Sequence, residues 1–183
     1  MTRVVGASLI LILVVTMAGV SAAADEETWQ NVSDVGVASL LLLSVGLPAA
    51  EGDWTGALQA TESFVVASLV TEGLKALFPR LRPDGADDKS FPSGHTSRSF
   101  AAASTLYERQ GSGVGIPAFV VAGLVGVARV EGDKHYWGDV AAGAVIGTAS
   151  GFLMTDAPAE PSSVAIVPWG TSRSGGITVS VSF

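Results

Sequence analysis

The chain has 183 residues, enough for one domain, with a formal net charge of −7 and no cysteine. The negative charge argues against a general nucleic-acid-binding surface, and the lack of cysteine excludes a disulfide framework and thiol chemistry. The ten lysine and arginine residues are therefore informative wherever they cluster.

Residues 1–24 predict a signal peptide. Arg3 gives a positive start, residues 4–20 are strongly apolar, and Ala22-Ala23-Ala24 precedes an acidic stretch. The alternative is an uncleaved first membrane helix; we favour cleavage because of the run of small residues. Under either interpretation the chain after Ala24 begins outside the cytoplasm, in the periplasm or at the outer face of the inner membrane.

Two apolar segments follow. Residues 35–50 end at Pro48 and an acidic turn; this length is marginal for a bilayer and equally fits a buried core helix. Residues 57–78 predict an amphipathic helix. The residues expected on its core-facing side are Phe64, Val65, Leu69 and Leu74. Those expected on its polar side are Gln59, Glu62, Thr71 and Glu72.

The next helix is predicted to open at Pro92-Ser93-Gly94-His95. Ser93 is a favourable N-cap, and Gly94 lets the backbone approach a ligand closely. The free amides of a first helical turn form a ready site for an anion, with His95 at its rim. An ordinary capped helix start is the alternative for this stretch taken alone.

Residues 114–130 predict a long apolar helix that carries Arg129 at its end. It is the best candidate for a membrane span, although a central helix of a soluble bundle has the same pattern. His135 and Asp139 follow four residues apart, a spacing that would put them on one helical face. A carboxylate on one imidazole nitrogen fixes the tautomer and frees the other nitrogen to attack.

The last helix is predicted to run to about Met154. Gly143, Gly147 and Gly151 recur every four residues in it, which permits very close helix packing. Beyond it, residues 177–183 alternate as a half-buried strand does, and residues 164–167 are expected to pair with them as a hairpin. We therefore expect a body over residues 25–155 and a β tail over 156–183.

Three motifs together resemble the type 2 phosphatidic acid phosphatase superfamily, which also holds bacterial class A acid phosphatases and vanadium haloperoxidases. All spacings of the pattern are kept, and the one departure is Ala128, where the superfamily usually has serine. The matching residues are Lys75 with Arg82-Pro83, then Pro92-Ser93-Gly94-His95, then Arg129 with His135 and Asp139.

The resemblance implies a role for each of these residues. His135 is expected to be the nucleophile that becomes phosphohistidine, Asp139 its orienting carboxylate, and His95 the general acid. Phosphate is expected to bind the remaining polar groups, which are Lys75, Arg82, Ser93, Gly94 and Arg129. These cations and amides can offset the charge of a phosphoryl group, and no ligand cluster has metal-binding spacing, so we expect no metal and no other cofactor.

The fold expected from pattern and resemblance is an all-α bundle of five to six helices with a short C-terminal β hairpin. The expected function is hydrolysis of a phosphomonoester or diphosphate, with a lipid phosphate such as phosphatidic acid, phosphatidylglycerophosphate or an isoprenyl diphosphate as substrate. A membrane-associated protein is expected, and the polar helix after His95 favours a peripheral or soluble body over one with many spans.

Three alternatives remain at this point. A soluble periplasmic nonspecific acid phosphatase would favour water-soluble esters over dispersed lipid phosphates. A vanadate-dependent haloperoxidase would use the same anion pocket, although members of that kind are usually much longer chains. A non-enzymatic lipid or phosphate binder is expected to lack one of the two histidines, and both are present.

Overall fold

The computed structural model describes residues 2–20, 24–158, 163–170 and 175–182. Six helices are followed by one antiparallel hairpin, which confirms the predicted all-α bundle with a β tail. The helices are α1 Thr2–Ala18, α2 Glu26–Ala50, α3 Trp54–Leu77, α4 Gly94–Gln110, α5 Ser112–Glu131 and α6 Trp137–Met154. The strands are β1 Ser163–Gly170 and β2 Gly175–Ser182.

The hairpin has the pairing predicted from the alternating pattern. Val164 lies opposite Val181, and Val167 lies opposite Thr178, in one antiparallel ladder. The middle of the connecting turn, and Phe183 at the end of the predicted strand, lie outside the described residues.

Helix α4 is the central helix of the bundle and packs against α2, α3, α5 and α6. Its polar residues Ser97, Ser99, Ser104 and Thr105 are buried against these neighbours. Several are hydrogen-bonded there; Ser97 Oγ, for example, lies 2.8 Å from Thr71 Oγ1 of α3. The polarity of α4 is therefore no obstacle to burial in a membrane, because these side chains face other helices.

The buried face of α3 differs in part from the predicted one: Glu62 and Glu72 are exposed as expected, and Phe64 and Leu74 are half-buried. Its buried residues are small or polar: Gly56, Ala57, Ala60, Ser63, Ala67 and Thr71. Val65 and Leu69, expected in the core, are exposed. The amphipathic pattern assumes that large apolar residues face the core. Here small residues are buried instead, because they let α3 approach α4 closely.

The glycine stripe of α6 packs against α4, as predicted. A Cβ on Gly143 would lie 2.5 Å from the carbonyl oxygen of Ser93, and a Cβ on Gly147 would overlap the carbonyl of Ser97. Any larger residue at these positions would push the two helices apart. This contact fixes the start of α6 against the start of α4, and both helix starts carry site residues.

Helix α1 is part of the hydrophobic core. Ile10 is fully buried and Met17 is 6% exposed. On the facing helix, a Cβ on Gly36 would lie 2.6 Å from a methyl group of Val125, with the Met17 side chain beside it. Ala22 and Ala23 of the predicted cleavage site lie outside the described residues. By length and composition, α2 and α5 are each apolar enough to cross a membrane.

Candidate active site

The three motifs meet at one end of the bundle, hereafter the site end. This end holds the last turns of α3 and α5, the first turns of α4 and α6, and the loops that join them. Contacts across these loops hold it together: the Asp84 amide donates to the Asp133 carbonyl oxygen (3.1 Å), and the Ser93 amide donates to that of Asp139 (3.0 Å). Residues far apart in the sequence are thus brought into one site.

His135 lies in the loop before α6 and is only 2% exposed. Its Nδ1 lies 2.6 Å from the carbonyl oxygen of Ser90, which can only accept, so Nδ1 carries the proton. Burial, and then the neighbouring cations, of which Arg129 is first, lower the pKa of His135 to about 3. The imidazole is therefore neutral at physiological pH, and Nε2 is its unprotonated, nucleophilic nitrogen.

Asp139 orients His135 less directly than its spacing indicated. Since His135 precedes α6, the two side chains do not share a helical face, and Asp139 Oδ2 lies 3.8 Å from His135 Nδ1, beyond hydrogen-bonding distance. The Asp139 carboxylate is instead fully buried among other donors. These are Arg80 Nη1 at 2.7 Å, Ser90 Oγ at 2.5 Å and the Tyr136 amide at 2.9 Å.

Ser90 therefore connects the carboxylate to the imidazole. Its hydroxyl donates to Asp139, while its carbonyl accepts from His135. Arg80, which also stacks on the Tyr136 ring at 4.2 Å, completes the shell around the carboxylate. Sequence reasoning missed Ser90 and Arg80; the proximity of Arg80 to Arg82 in the first motif was the one available signal.

Lys75 and Arg82 are held at the site end by backbone oxygens. Lys75 Nζ donates to the carbonyl oxygens of Lys89 and Pro92, both at 2.6 Å. Arg82 Nη1 donates to the Lys134 carbonyl oxygen at 3.3 Å, and its Nε is paired with Asp87 at 2.6 Å. Burial, and then the charge of Arg82, lower the pKa of Lys75 to about 8, and no carboxylate is among these hydrogen bonds of its ammonium group.

Arg129 is the most distinctive cation of the site. It is 7% exposed, and Nη1 donates to the hydroxyl of Ser33 at 3.1 Å. Its Nε is buried and, among the described residues, has no hydrogen-bond partner. A buried guanidinium with an unused donor is costly unless an anion is to occupy the space beside it.

The start of α4 differs from the predicted cap. Ser93 occupies the N-cap position, but within the described chain its side chain makes no capping hydrogen bond, because its Oγ accepts from the Thr96 hydroxyl at 2.9 Å instead. A Cβ on Gly94 would meet only Thr71, at an ordinary 3.7 Å, so packing does not require glycine there. The uncrowded backbone at Gly94, in the first turn of a helix, suits close contact with an anion.

His95 stands at this helix start beside α2. Its Nε2 lies 2.8 Å from Asp34 Oδ1, a contact across 61 residues that the sequence did not reveal. Burial, followed by the charge of Arg129, lowers the pKa of His95 to about 4, while Asp34 acts to raise it. The site therefore combines one neutral, nucleophilic imidazole with a second imidazole paired to a carboxylate.

Comparison with known proteins agrees with this geometry. The model of the PAP2 superfamily matches residues 56–161. Over 92 residues the chain is 36% identical to a lipid A 1-phosphatase of Porphyromonas gingivalis, an alignment that covers 49% of this chain and 20% of that protein. It is 32% identical over 128 residues to lipid phosphate phosphatase 2 of Arabidopsis thaliana, covering 46% of this chain and 44% of that protein.

Two solved structures share the fold. LpxE of Aquifex aeolicus superposes with a TM-score of 0.61 at 21% identity, covering 70% of this chain and 84% of that one. The first transmembrane PAP2 type phosphatidylglycerolphosphate phosphatase from Bacillus subtilis gives 0.56 at 23% identity, covering 84% and 94%. The chain spans less than half the length of the curated relatives that it matches. Since the family model covers more than half of the chain, including all three motifs, the chain belongs to the PAP2 superfamily.

Proposed function

We propose that this protein is a metal-independent phosphatase that hydrolyses the phosphomonoester or diphosphate of a lipid through a phosphohistidine intermediate. The observation that carries the proposal is the set of groups at the site end. A neutral imidazole with its nucleophilic nitrogen free, a second imidazole and three cations converge there, and one of those cations, Arg129, is buried with an unused donor.

The geometry supports a two-step reaction. Nε2 of His135 attacks phosphorus, the bond from phosphorus to the leaving oxygen breaks, and His95 gives that oxygen a proton. Water then attacks the phosphohistidine, His95 takes a proton from the water, and the P–N bond breaks to release phosphate and neutral His135. Lys75, Arg82 and Arg129 offset the charge on the equatorial oxygens in both steps.

The surface beside the site supports a lipid substrate. Five apolar or aromatic residues around the site end are exposed: Leu77, Phe78, Leu81, Tyr136 and Trp137. Tyrosine and tryptophan are enriched where membrane proteins meet water, and a rim of this kind can hold acyl or isoprenyl chains while the phosphate enters the site. The relatives named as lipid phosphatases agree with this choice.

We further propose that the bundle is embedded in the membrane with the site end outside the spanning segments, facing the periplasm. Helix α3 exposes Leu58, Leu69 and Leu77, and α6 exposes Val145 and Leu153, a pattern that suits contact with lipid. Arg3 before the apolar part of α1 favours a cytoplasmic N-terminus. The burial of Ile10 and Met17 supports retention of α1 as the first membrane helix, in place of the cleaved signal peptide expected above.

A phosphate-release screen tests the proposal. The purified full chain is assayed with dispersed phosphatidic acid, phosphatidylglycerophosphate and an isoprenyl diphosphate, and with p-nitrophenyl phosphate as the soluble ester, each with and without chelator. We expect activity in chelator, higher rates on lipid phosphates, and none in His135→Ala. Higher rates on the soluble ester would favour the nonspecific acid phosphatase, and activity restored to chelated enzyme by magnesium or zinc would overturn the metal-free mechanism.

A further inference from the structure

We propose that Asp34 of α2 is the positioning residue for the general acid: its carboxylate holds Nε2–H of His95, so that Nδ1 delivers the proton to the leaving oxygen. This inference rests on the function proposed above. It adds to the three motifs a residue that none of them contains, contributed by a helix that precedes all of them.

The first support is the contact itself. Asp34 Oδ1 lies 2.8 Å from His95 Nε2, a distance typical of a hydrogen bond assisted by charge. Asp34 is the more exposed partner, at 61%, and His95 is at 28%. The more exposed carboxylate thus restrains a less accessible imidazole from the α2 side.

The second support is its neighbour in the sequence. Ser33, which is fully buried, accepts a hydrogen bond from Arg129 at 3.1 Å. Consecutive residues of α2 thus contact the buried arginine and the second histidine of the site. Helix α2 is fixed in this place by core residues such as Leu40 and by the close approach of Gly36 to α5, so it can position both groups.

The third support is the charge around His95. Arg129 from α5 and Arg98 on its own helix both disfavour the imidazolium, and Asp34 is the nearby group that favours it. Helices α3 and α6 bring the further charged residues of this end, which are Glu72, Lys75 and Asp139; of these, Glu72 is 3.7 Å from Arg98. A general acid must be protonated when the leaving oxygen departs. Because burial and the arginines lower the pKa of His95 to about 4, this role needs both the Asp34 carboxylate and the negative charge of a bound phosphate to favour the imidazolium.

The protons balance in this arrangement. In the first step the Nδ1 proton passes to the leaving oxygen, and His95 becomes neutral with its remaining proton on Nε2, held by Asp34. In the second step Nδ1 accepts a proton from the attacking water, which restores the imidazolium. Asp34 neither gains nor loses a proton in the cycle.

The kinetic test compares leaving groups. Asp34→Asn, Asp34→Ala and Asp34→Glu are assayed beside Glu27→Gln, an exposed carboxylate on the same helix that serves as the matched control. With phosphatidic acid, whose alkoxide leaving group needs a proton, we expect kcat to fall at least about 10-fold in the Asn and Ala variants. With p-nitrophenyl phosphate the fall should be several-fold smaller, and Asp34→Glu should recover part of the loss.

The dependence of kcat on pH gives a second test, because the direction of the expected shift is fixed. Removing the carboxylate lowers the pKa of His95, so its protonated form is lost at a lower pH. The basic limb of kcat against pH should therefore move to lower pH by about one unit in Asp34→Asn and not in Glu27→Gln. If the basic limb of the kcat profile did not move in Asp34→Asn, or if kcat fell equally with both substrates, Asp34 would be a merely structural residue and the inference would be overturned.

A third measurement does not depend on turnover. The chain has two histidines, so imidazole NMR of protein without a polyhistidine tag can be assigned with the single variant His135→Gln. In saturating inorganic phosphate, we expect the His95 titration to lie about one unit lower in Asp34→Asn than in wild type. An unchanged titration contradicts the inference, whereas a wild-type enzyme inactive on every phosphoester would contradict the proposed function alone.

Discussion

Two buried arginines at opposite ends of the bundle have different surroundings. Arg109, at the end of α4, and Arg129, at the end of α5, are each 7% exposed. Arg109 forms an ion pair with Asp53 in which both carboxylate oxygens take part, one of them at 2.8 Å from Nε, and it also donates to the Asp156 carbonyl oxygen at 2.8 Å. Arg129 donates to the hydroxyl of Ser33, and in the described chain its Nε has no partner.

We interpret this difference as that between a structural charge and one kept for a ligand. At the far end the carboxylate of Asp53 compensates the guanidinium, and the same carboxylate caps α3 through the Gly56 amide at 2.9 Å. At the site end, by contrast, no carboxylate is hydrogen-bonded to Arg129 within the described residues, and we propose that a bound phosphate supplies that partner. A buried cation kept without a hydrogen-bonded anion lowers stability, and such groups are concentrated at functional sites.

The largest expected effect comes from Arg129→Ala. We expect kcat/KM for phosphatidic acid to fall by about 10² to 10³, the usual loss when one donor to a transition-state oxyanion is removed. The free energy of unfolding should stay the same or rise, because a buried charge without a hydrogen-bonded carboxylate is gone. Arg129→Lys should recover little activity, since an ammonium lacks the planar fork. Wild-type kcat/KM in Arg129→Ala would remove the distinction between the two arginines.

Arg109→Met should show the reverse pattern. Breaking this ion pair leaves Asp53 without its partner, and we expect the free energy of unfolding to fall by about 3 kcal/mol, the lower end for such pairs because Asp53 is partly exposed. Activity measured below the unfolding temperature should remain within about two-fold of wild type. Chemical denaturation gives the stability. If Arg109→Met were stable but inactive, the end of the bundle that holds Arg109 would also take part in the reaction.

A smaller effect concerns the occupied site. Vanadate, a mimic of the transferring phosphoryl group, should raise the unfolding temperature of wild type and of Arg109→Met, with about 2.7 kcal/mol of stabilisation at a hundred times its dissociation constant. Arg129→Ala should show little of this stabilisation, since the anion loses its buried partner. The shift should persist in chelator. Equal shifts in all three proteins would place the vanadate somewhere other than beside Arg129.

The chemistry of the site was predictable from the sequence, whereas its contacts were not. Five residues carry groups that phosphate chemistry needs, and their spacings identify the family. The structure gathers them at one end of the bundle; they are Lys75, Arg82, His95, Arg129 and His135. The sequence did not predict the places of Asp34, Arg80 and Ser90, because each contacts its site residue only through tertiary packing.

The faces of the helices show the same limit. The hairpin could be read from alternation because pairing in a short hairpin is a local property. The buried face of α3 could not be read in this way, since Val65 and Leu69 were expected in the core from their size and hydrophobicity and are exposed. The burial of Ser63 and Thr71 follows instead from contacts with other helices, which no local pattern contains.

The most direct test of the central claim is to trap the covalent intermediate. The full chain is mixed with phosphatidic acid labelled with ³²P in its phosphate and is quenched in alkali, in which phosphohistidine survives. We expect label on the peptide that contains His135, none in His135→Ala, and a longer-lived label in His95→Ala, because the water step also needs His95. Turnover without label on His135, or label on His95 instead, would contradict it.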